Sequence, residues 1–312
     1  MVEICSAVDK DILLQELTKV KLLRYSNKGG NEIYTFTAHE APNLMREVGR
    51  IRELAFRSAG GGTGLECDID EFDTREVNPC VQLIVWDPDA KTIIGGYRYL
   101  ACRLMPVDVK GVPEMAVTEI FNLSERFINE YLPYTIELGR SFVHPNYQST
   151  QLEHKSLYAL DNLWDGLGAL TVIYPEIKYF MGKITMYRQF EQLSRNLILH
   201  FMDCYFVDKE GLITPKEEYK LEIDMSGVDN CFAGNDYKED HKILSRTVRD
   251  HGTNIPPLFN AYMGLSPTMK VFGTCLNPFF GGVEETGILI TIADVYDAKK
   301  ERHIDTFNII NS

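Results

Sequence analysis

Residues 136–148 constrain this chain more than any other stretch. Ile136 to Val143 is an apolar, β-prone run that nonetheless holds Glu137 and Arg140. A charge in such a run is costly to bury unless it is paired or used. The run stops at Pro145. Proline cannot donate to a strand ladder, so neighbouring backbone groups there are left to meet other partners, a ligand among them. A helical pattern follows near 151–167. Strand, break and helix together predict a central strand of an α/β protein whose end faces a binding site.

The rest of the chain can supply such a protein. It has 312 residues, 45% of them hydrophobic, which is ample for a full core. The net charge of −13 argues against a nucleic-acid binder and requires a local basic patch wherever an acidic partner docks. Seven cysteines are scattered without Cys-x-x-Cys spacing, which fits a reducing cytoplasm and offers no metal-ligand pattern. Met1 to Lys10 already carries Glu3 and Asp9, so no signal peptide is read there. No run approaches the roughly 20 apolar residues that span a bilayer.

Periodicity predicts a helix over 11–24, a turn at Asn27–Gly30, a strand from Glu32 to Thr37 and a helix begun by Pro42. Gly60 to Gly64 reads as a flexible hinge before an acidic loop. Val81–Trp86 and Thr92–Leu104 form a hairpin. Ser124 starts a short helix, and Tyr134–Val143 is the central strand. Lys178–Ile184 reads as a strand and Met186–Phe201 as a helix. Residues 208–240 read as loop. Tyr237–Asp250 is a helix, Pro256–Met263 a helical turn and Thr286–Val295 a late strand. This order predicts an α/β fold, a mixed central sheet with helices on both faces plus a C-terminal extension.

Four segments, in order, resemble one known family. They are Arg52-Glu-Leu-Ala-Phe56-Arg57, then Cys67-Asp-Ile-Asp70-Glu-Phe72-Asp73, then the hairpin from Gln82 to Leu100, then Glu137-Leu-Gly-Arg140-Ser-Phe-Val143-His144-Pro145. Trp164 and Tyr179-Phe-Met-Gly182 continue the pattern. Together they resemble the hemolysin-like acyltransferases of the GNAT superfamily, which include ornithine-lipid and glycine-lipid synthases and are related to acyl-homoserine-lactone synthases. The resemblance implies a GNAT-like domain over 1–205 and a C-terminal lobe over 206–312 that completes the acyl pocket, or one continuous domain.

The resemblance also assigns roles. Glu137 is the expected general base, with Arg140 and Arg98 as catalytic partners. A strand carboxylate neutralised by an arginine would look the same. Strand alternation puts Glu137 and Arg140 on opposite faces unless Gly139 marks a bulge. Asp70 and Asp73 form an electrostatic cluster with Arg98 and Arg140, either touching substrate or only bracing the fold. Arg52, Phe56 and Arg57 are candidates for holding a phosphate or carboxylate, or a solvated helix face. Arg98 or Arg52 would hold the acceptor's carboxylate. Val143, His144, Ser149 and Thr150 would receive the acyl donor, with backbone N–H groups near Val143 to Pro145 polarising the thioester. Cys102 reads as a buried small apolar residue rather than a reactive thiol.

The segment Gln148-Ser149-Thr150-Gln151 lacks the glycines that let backbone approach a diphosphate. Acyl carrier protein is therefore the preferred donor, with acyl-coenzyme A the alternative. Lys183, Arg188 and Arg195 are the candidate patch for it, with Arg188 and Arg195 two turns apart on one helix face. The resemblance implies no metal and no tightly bound cofactor. The expected reaction moves a long-chain acyl group, with or without a 3-hydroxyl, to the amine of an amino acid in the cytoplasm, with a peripheral contact at the inner face of the membrane. Two other readings stand beside it: an acyl-homoserine-lactone-like signal synthase, and a catalytically inert carrier-protein or lipid binder.

Overall fold

The computed structural model describes residues 2–109, 111–148, 155–224, 228 and 231–307. In chain order the elements are α1 (Lys10–Glu16), β1 (Leu22–Tyr25), β2 (Glu32–Phe36), α2 (Pro42–Ser58), α3 (Glu71–Thr74), β3 (Val81–Asp87), β4 (Thr92–Ala101), β5 (Phe121–Leu123), β6 (Thr135–Val143), α4 (Lys155–Ile173), β7 (Tyr179–Met186), α5 (Gln192–Phe206), β8 (Ile213–Pro215), α6 (Tyr237–Asp250), α7 (Pro257–Met263), β9 (Lys270–Asn277), β10 (Val283–Thr291) and α8 (Asp297–His303). The chain divides into two compact units. One comprises Met1–Ala116, Pro133–Lys178 and Asp297–Ser312; the other comprises Val117–Leu132 and Tyr179–Tyr296. The boundary expected at 205/206 falls inside α5.

In the first unit β1, β2, β3, β4 and β6 pair side by side, each antiparallel to its neighbour. Gln82 and Arg98 are register partners, so their side chains share one face. Leu83 and Tyr97 occupy the other. The helix α2 covers the Gln82 face. Pro42 starts it, and Leu44, Val48, Ile51 and Ala55 recur at helical spacing and are buried. The opposite face is covered by α4, whose Leu163 and Leu167 are buried. Against α4 lies α8, held by His303 Nδ1 2.7 Å from Asp165 Oδ1 and by Arg302 donating to Asp161 at 2.7 Å.

Two expectations need correction here. Residues 11–24 are not one helix: α1 ends at Glu16, and Leu22–Tyr25 is a strand because its backbone pairs with β2. Nor is Gly60–Gly64 a free hinge. The fully buried carboxylate of Glu53 accepts from the Thr63 N–H at 3.0 Å, the Thr63 hydroxyl at 2.7 Å and the Gly64 N–H at 2.8 Å. Arg57 completes this clamp with a 2.7 Å bond to Glu53.

In the second unit β7, β10 and β9 form an antiparallel set, and β5 pairs with β8. The strand β9 was not expected from sequence. Between α5 and α6 lies an aromatic core in which Phe201 meets Tyr205, Phe232 and Tyr237. Phe259, Tyr262, Phe272 and Phe280 are buried as ordinary packing, whereas Phe279 is exposed. Among the described residues no helix is long and apolar enough to cross a membrane.

Candidate active site

Five segments of the first unit converge on one charged cluster. Arg52 on α2 is fully buried, with its Nη1 3.1 Å from Asp73 Oδ2 and its Nη2 donating to Gln82 Oε1. Gln82 on β3 returns a bond to Asp73 Oδ1 at 2.9 Å. Arg98 on β4 reaches Asp70 at 2.6 Å and Asp73 at 3.2 Å, with its guanidinium over the Phe72 ring. Asp70 and Asp73 are placed by α3, where each caps the other's backbone N–H in a reciprocal box. Burial alone would raise the Asp73 carboxyl. The Arg52 and Arg98 guanidiniums overcome that and hold it well below the usual carboxylate range.

The fifth segment, β6, joins through a bulge. Gly96 pairs with Phe142, but Arg98 pairs with Gly139, so Arg140 and Ser141 both stand opposite Tyr97. The extra residue takes a left-handed backbone, with Arg140 at φ 50. That conformation costs an L-residue about 1–2 kcal/mol. Arg140 is held in it by Nε at 2.9 Å from Asp68 and Nη2 at 3.3 Å from Asp70.

The bulge changes which groups can act together. Glu137 pairs with Leu100 and so lies on the Arg98 face. Arg140 reaches the aspartates on that same face, so the two are not separated as strand alternation would have them. Beyond the bulge, the His144 N–H donates to Ile94 O at 2.7 Å. Antiparallel alternation then turns the Val143 N–H away from β4. Glu137 is itself buried, with the Cys80 and Cys102 thiols within its electrostatic reach. Burial pushes the Cys80 thiol up to about 12 and the Cys102 thiol well up as well, as for small apolar side chains.

The profile of the "Acetyltransferase (GNAT) domain" matches residues 51–156, which contain the whole cluster. A glycine N(alpha)-acyltransferase of Phocaeicola vulgatus is 54% identical, with 98% of this chain and 94% of that protein covered. One from Bacteroides thetaiotaomicron is also 54% identical, over 98% of this chain and 91% of its own length. The chain belongs to their family. It is an N-acyltransferase of GNAT type. Among solved structures, the acyl-homoserine-lactone synthase LasI aligns at 12% identity and a TM-score of 0.42, covering 91% of this chain and 100% of LasI.

Within this N-acyltransferase several expected roles need correction. Arg52 and Arg98 are buried and bonded within the cluster, so neither guanidinium is presented to a substrate carboxylate. Phe56 is core. Arg57 bonds to Glu53, Val2 O and Leu65 O, which ties the N-terminal segment to the glycine loop. His144 caps the turn after β6, its Nδ1 accepting from the Asn146 N–H at 3.1 Å. Burial and the nearby Arg50 charge lower its pKa, against an opposing pull from Glu47. The His144 backbone N–H is occupied and Pro145 has none. Ser149 and Thr150 lie outside the described residues.

In the candidate carrier-protein patch, the expected shared helix face needs correction. Lys183 is on β7, 2.9 Å from Glu285, and Arg195 is 3.1 Å from Glu284. Glu191 caps α5 by accepting from the Leu193 and Ser194 N–H groups, so Arg188 precedes the helix and shares no face with Arg195.

Sequence reasoning passed over Asp68, Gln82 and Glu53. A polar residue at a core-facing position was the available signal for Gln82, and a glutamate before a run of glycines was the signal for Glu53.

Proposed function

We propose that this N-acyltransferase moves a long-chain fatty acyl group, with or without a 3-hydroxyl, from acyl carrier protein to the amine of glycine, making an N-acyl amino-acid lipid. One observation carries the choice of acceptor: the near full-length identity to two proteins named for glycine Nα-acylation. Glycine reaches the enzyme mainly as an ammonium. Glu137, directly or through one water, takes the proton. The amine nitrogen then attacks the thioester carbonyl carbon, and the Val143 N–H stabilises the oxyanion that forms. Collapse breaks the C–S bond, the nitrogen gives its surplus proton to the departing thiolate, and pantetheine leaves as the thiol.

The absence of glycine from Gln148 to Gln151 favours the single phosphate of a carrier protein over the diphosphate of coenzyme A. A product with a long acyl chain would be handed to the inner membrane face through a peripheral contact. The test is mass spectrometry of products from the purified chain, glycine, and matched acyl chains on either donor. An N-acylglycine formed with higher kcat/KM from the carrier-bound donor is the expected result. A preference for the coenzyme A donor overturns the donor, and an acyl-homoserine lactone from S-adenosylmethionine overturns the acceptor.

A further inference from the structure

We propose that Asp68 is a positioning residue for acyl transfer. It holds Arg140 in the left-handed conformation that forms the β6 bulge, and so sets where Glu137 and the Val143 N–H stand. The inference rests on the reading that this end of β6 is the reaction centre.

A bulge of this kind needs one residue at positive φ, and glycine is the residue that adopts it freely. Gly139 is next door, yet the positive φ falls on Arg140. A Cβ on Gly139 would meet Arg98 Nε at 3.4 Å and Cγ at 3.6 Å, ordinary van der Waals contact, so space above Gly139 does not decide which residue bulges. Arg140 must then be drawn into a backbone conformation that side chains disfavour.

Two carboxylates do this, and they differ. Asp70 is partly exposed and is gripped by Arg98 at 2.6 and 2.7 Å, with Arg140 a longer 3.3 Å away. Asp68 is fully buried, and both its oxygens face Arg140 Nε, at 3.1 and 2.9 Å. Its backbone is fixed from below by α2. The Asp68 N–H donates to Gly49 O at 3.0 Å, and Asp68 O accepts from Arg52 at 3.4 Å. The helix makes room for this: a Cβ on Gly49 would lie 2.5 Å from Cys67 Sγ and 2.6 Å from Ile69 Cγ1. A rigid helix thus places Asp68, Asp68 places Arg140, and Arg140 sets the register beyond the bulge. Losing the bulge would slip the strand by one residue and turn the groups past it to the other face.

A double-mutant cycle tests this on the full chain: Asp68→Ala, Arg140→Gly and both together, with glycine and whichever acyl thioester turns over. Glycine accepts positive φ without a tether, so it removes the need for Asp68. The expected result is a fall in kcat of about tenfold or more for Asp68→Ala, with KM for the acyl donor within about threefold. In the Arg140→Gly background the same change should lower kcat less than about threefold. Amide exchange of the peptide spanning 140–144 should rise in Asp68→Ala and not in the double variant. Equal losses of kcat in both backgrounds, or wild-type kcat in Asp68→Ala, overturn the proposal. If Asp68→Ala does not fold, Asp68→Asn carries the same comparison. If glycine proves not to be the acceptor, the exchange arm still decides the role of Asp68.

Discussion

In the first unit, three arginines from three elements meet Asp68, Asp70 and Asp73, which lie just before and within α3. In the second, Lys183 meets Glu285 on the adjacent strand, and Arg195 on α5 meets Glu284. Both arrangements bury charge against an antiparallel sheet. The first joins residues 52, 68–73, 82, 98 and 140, and its centre, Arg52 and Asp73, is fully buried. The second consists of pairs between neighbouring elements, with the Arg195 and Glu284 side chains 13% and 15% exposed. A buried pair is weak evidence for stability but strong evidence of a fixed geometry. The network imposes such a geometry on a strained backbone beside a carboxylate. The pairs of the second unit neutralise charges that the sheet already holds in place.

Removing one partner from each should separate them. Asp73→Asn leaves Arg52 and Arg98 without their shared charge and should destabilise the chain by about 3–5 kcal/mol in urea unfolding. Glu284→Gln should cost about 1 kcal/mol or less, as partly exposed pairs do. Similar losses from both would erase the distinction.

Acid should expose the same difference more gently. Burial alone would raise the Glu53 carboxyl, but the Thr63 hydroxyl and N–H, Arg57 and the Gly64 N–H lower it, and Asp73 is lowered by its arginines. Carboxyls depressed in the folded state contribute stability that is present above their unfolded values and lost as pH falls through the folded ones. Stability should therefore hold above the ordinary values of 4.5 and 3.8 and decline below them. In Glu53→Gln that decline should be shallower. An unchanged acid limb would remove Glu53 from the account.

The smallest effect concerns the second unit's cations. Arg188→Glu with Arg195→Glu should change KM for a carrier-bound donor and for a small pantetheine thioester by the same factor, because Arg195 serves Glu284. A selective rise for the carrier-bound donor would mark this segment as a docking patch.

Much of the first unit was legible because its signals are local. Pro42 with apolar residues at helical spacing marks α2, and the hairpin of β3 and β4 shows in alternating runs around a turn. Leu22–Tyr25 was hidden, since only its pairing with β2 makes it a strand. The start of α5 was hidden by Glu191, whose capping role depends on side-chain direction. Glu137, Asp70, Asp73, Arg98 and Arg140 could be singled out from sequence, and the possibility of a bulge with them. Which residue bulges could not, because it depends on the carboxylates of Asp68 and Asp70 that the fold brings to Arg140. Asp68 was passed over because nothing local distinguishes it from Asp70 and Asp73. Its role exists only once Gly49 and Arg140 are brought to it.

The central claim is that the carboxylate on the Arg98 face of β6 does the proton chemistry. Glu137→Gln keeps the shape of the side chain and removes its basicity. The purified variant should show wild-type unfolding and a kcat for thioester consumption lower by about 10²–10⁴. Turnover within a few-fold of wild type, in a folded variant, would contradict the account.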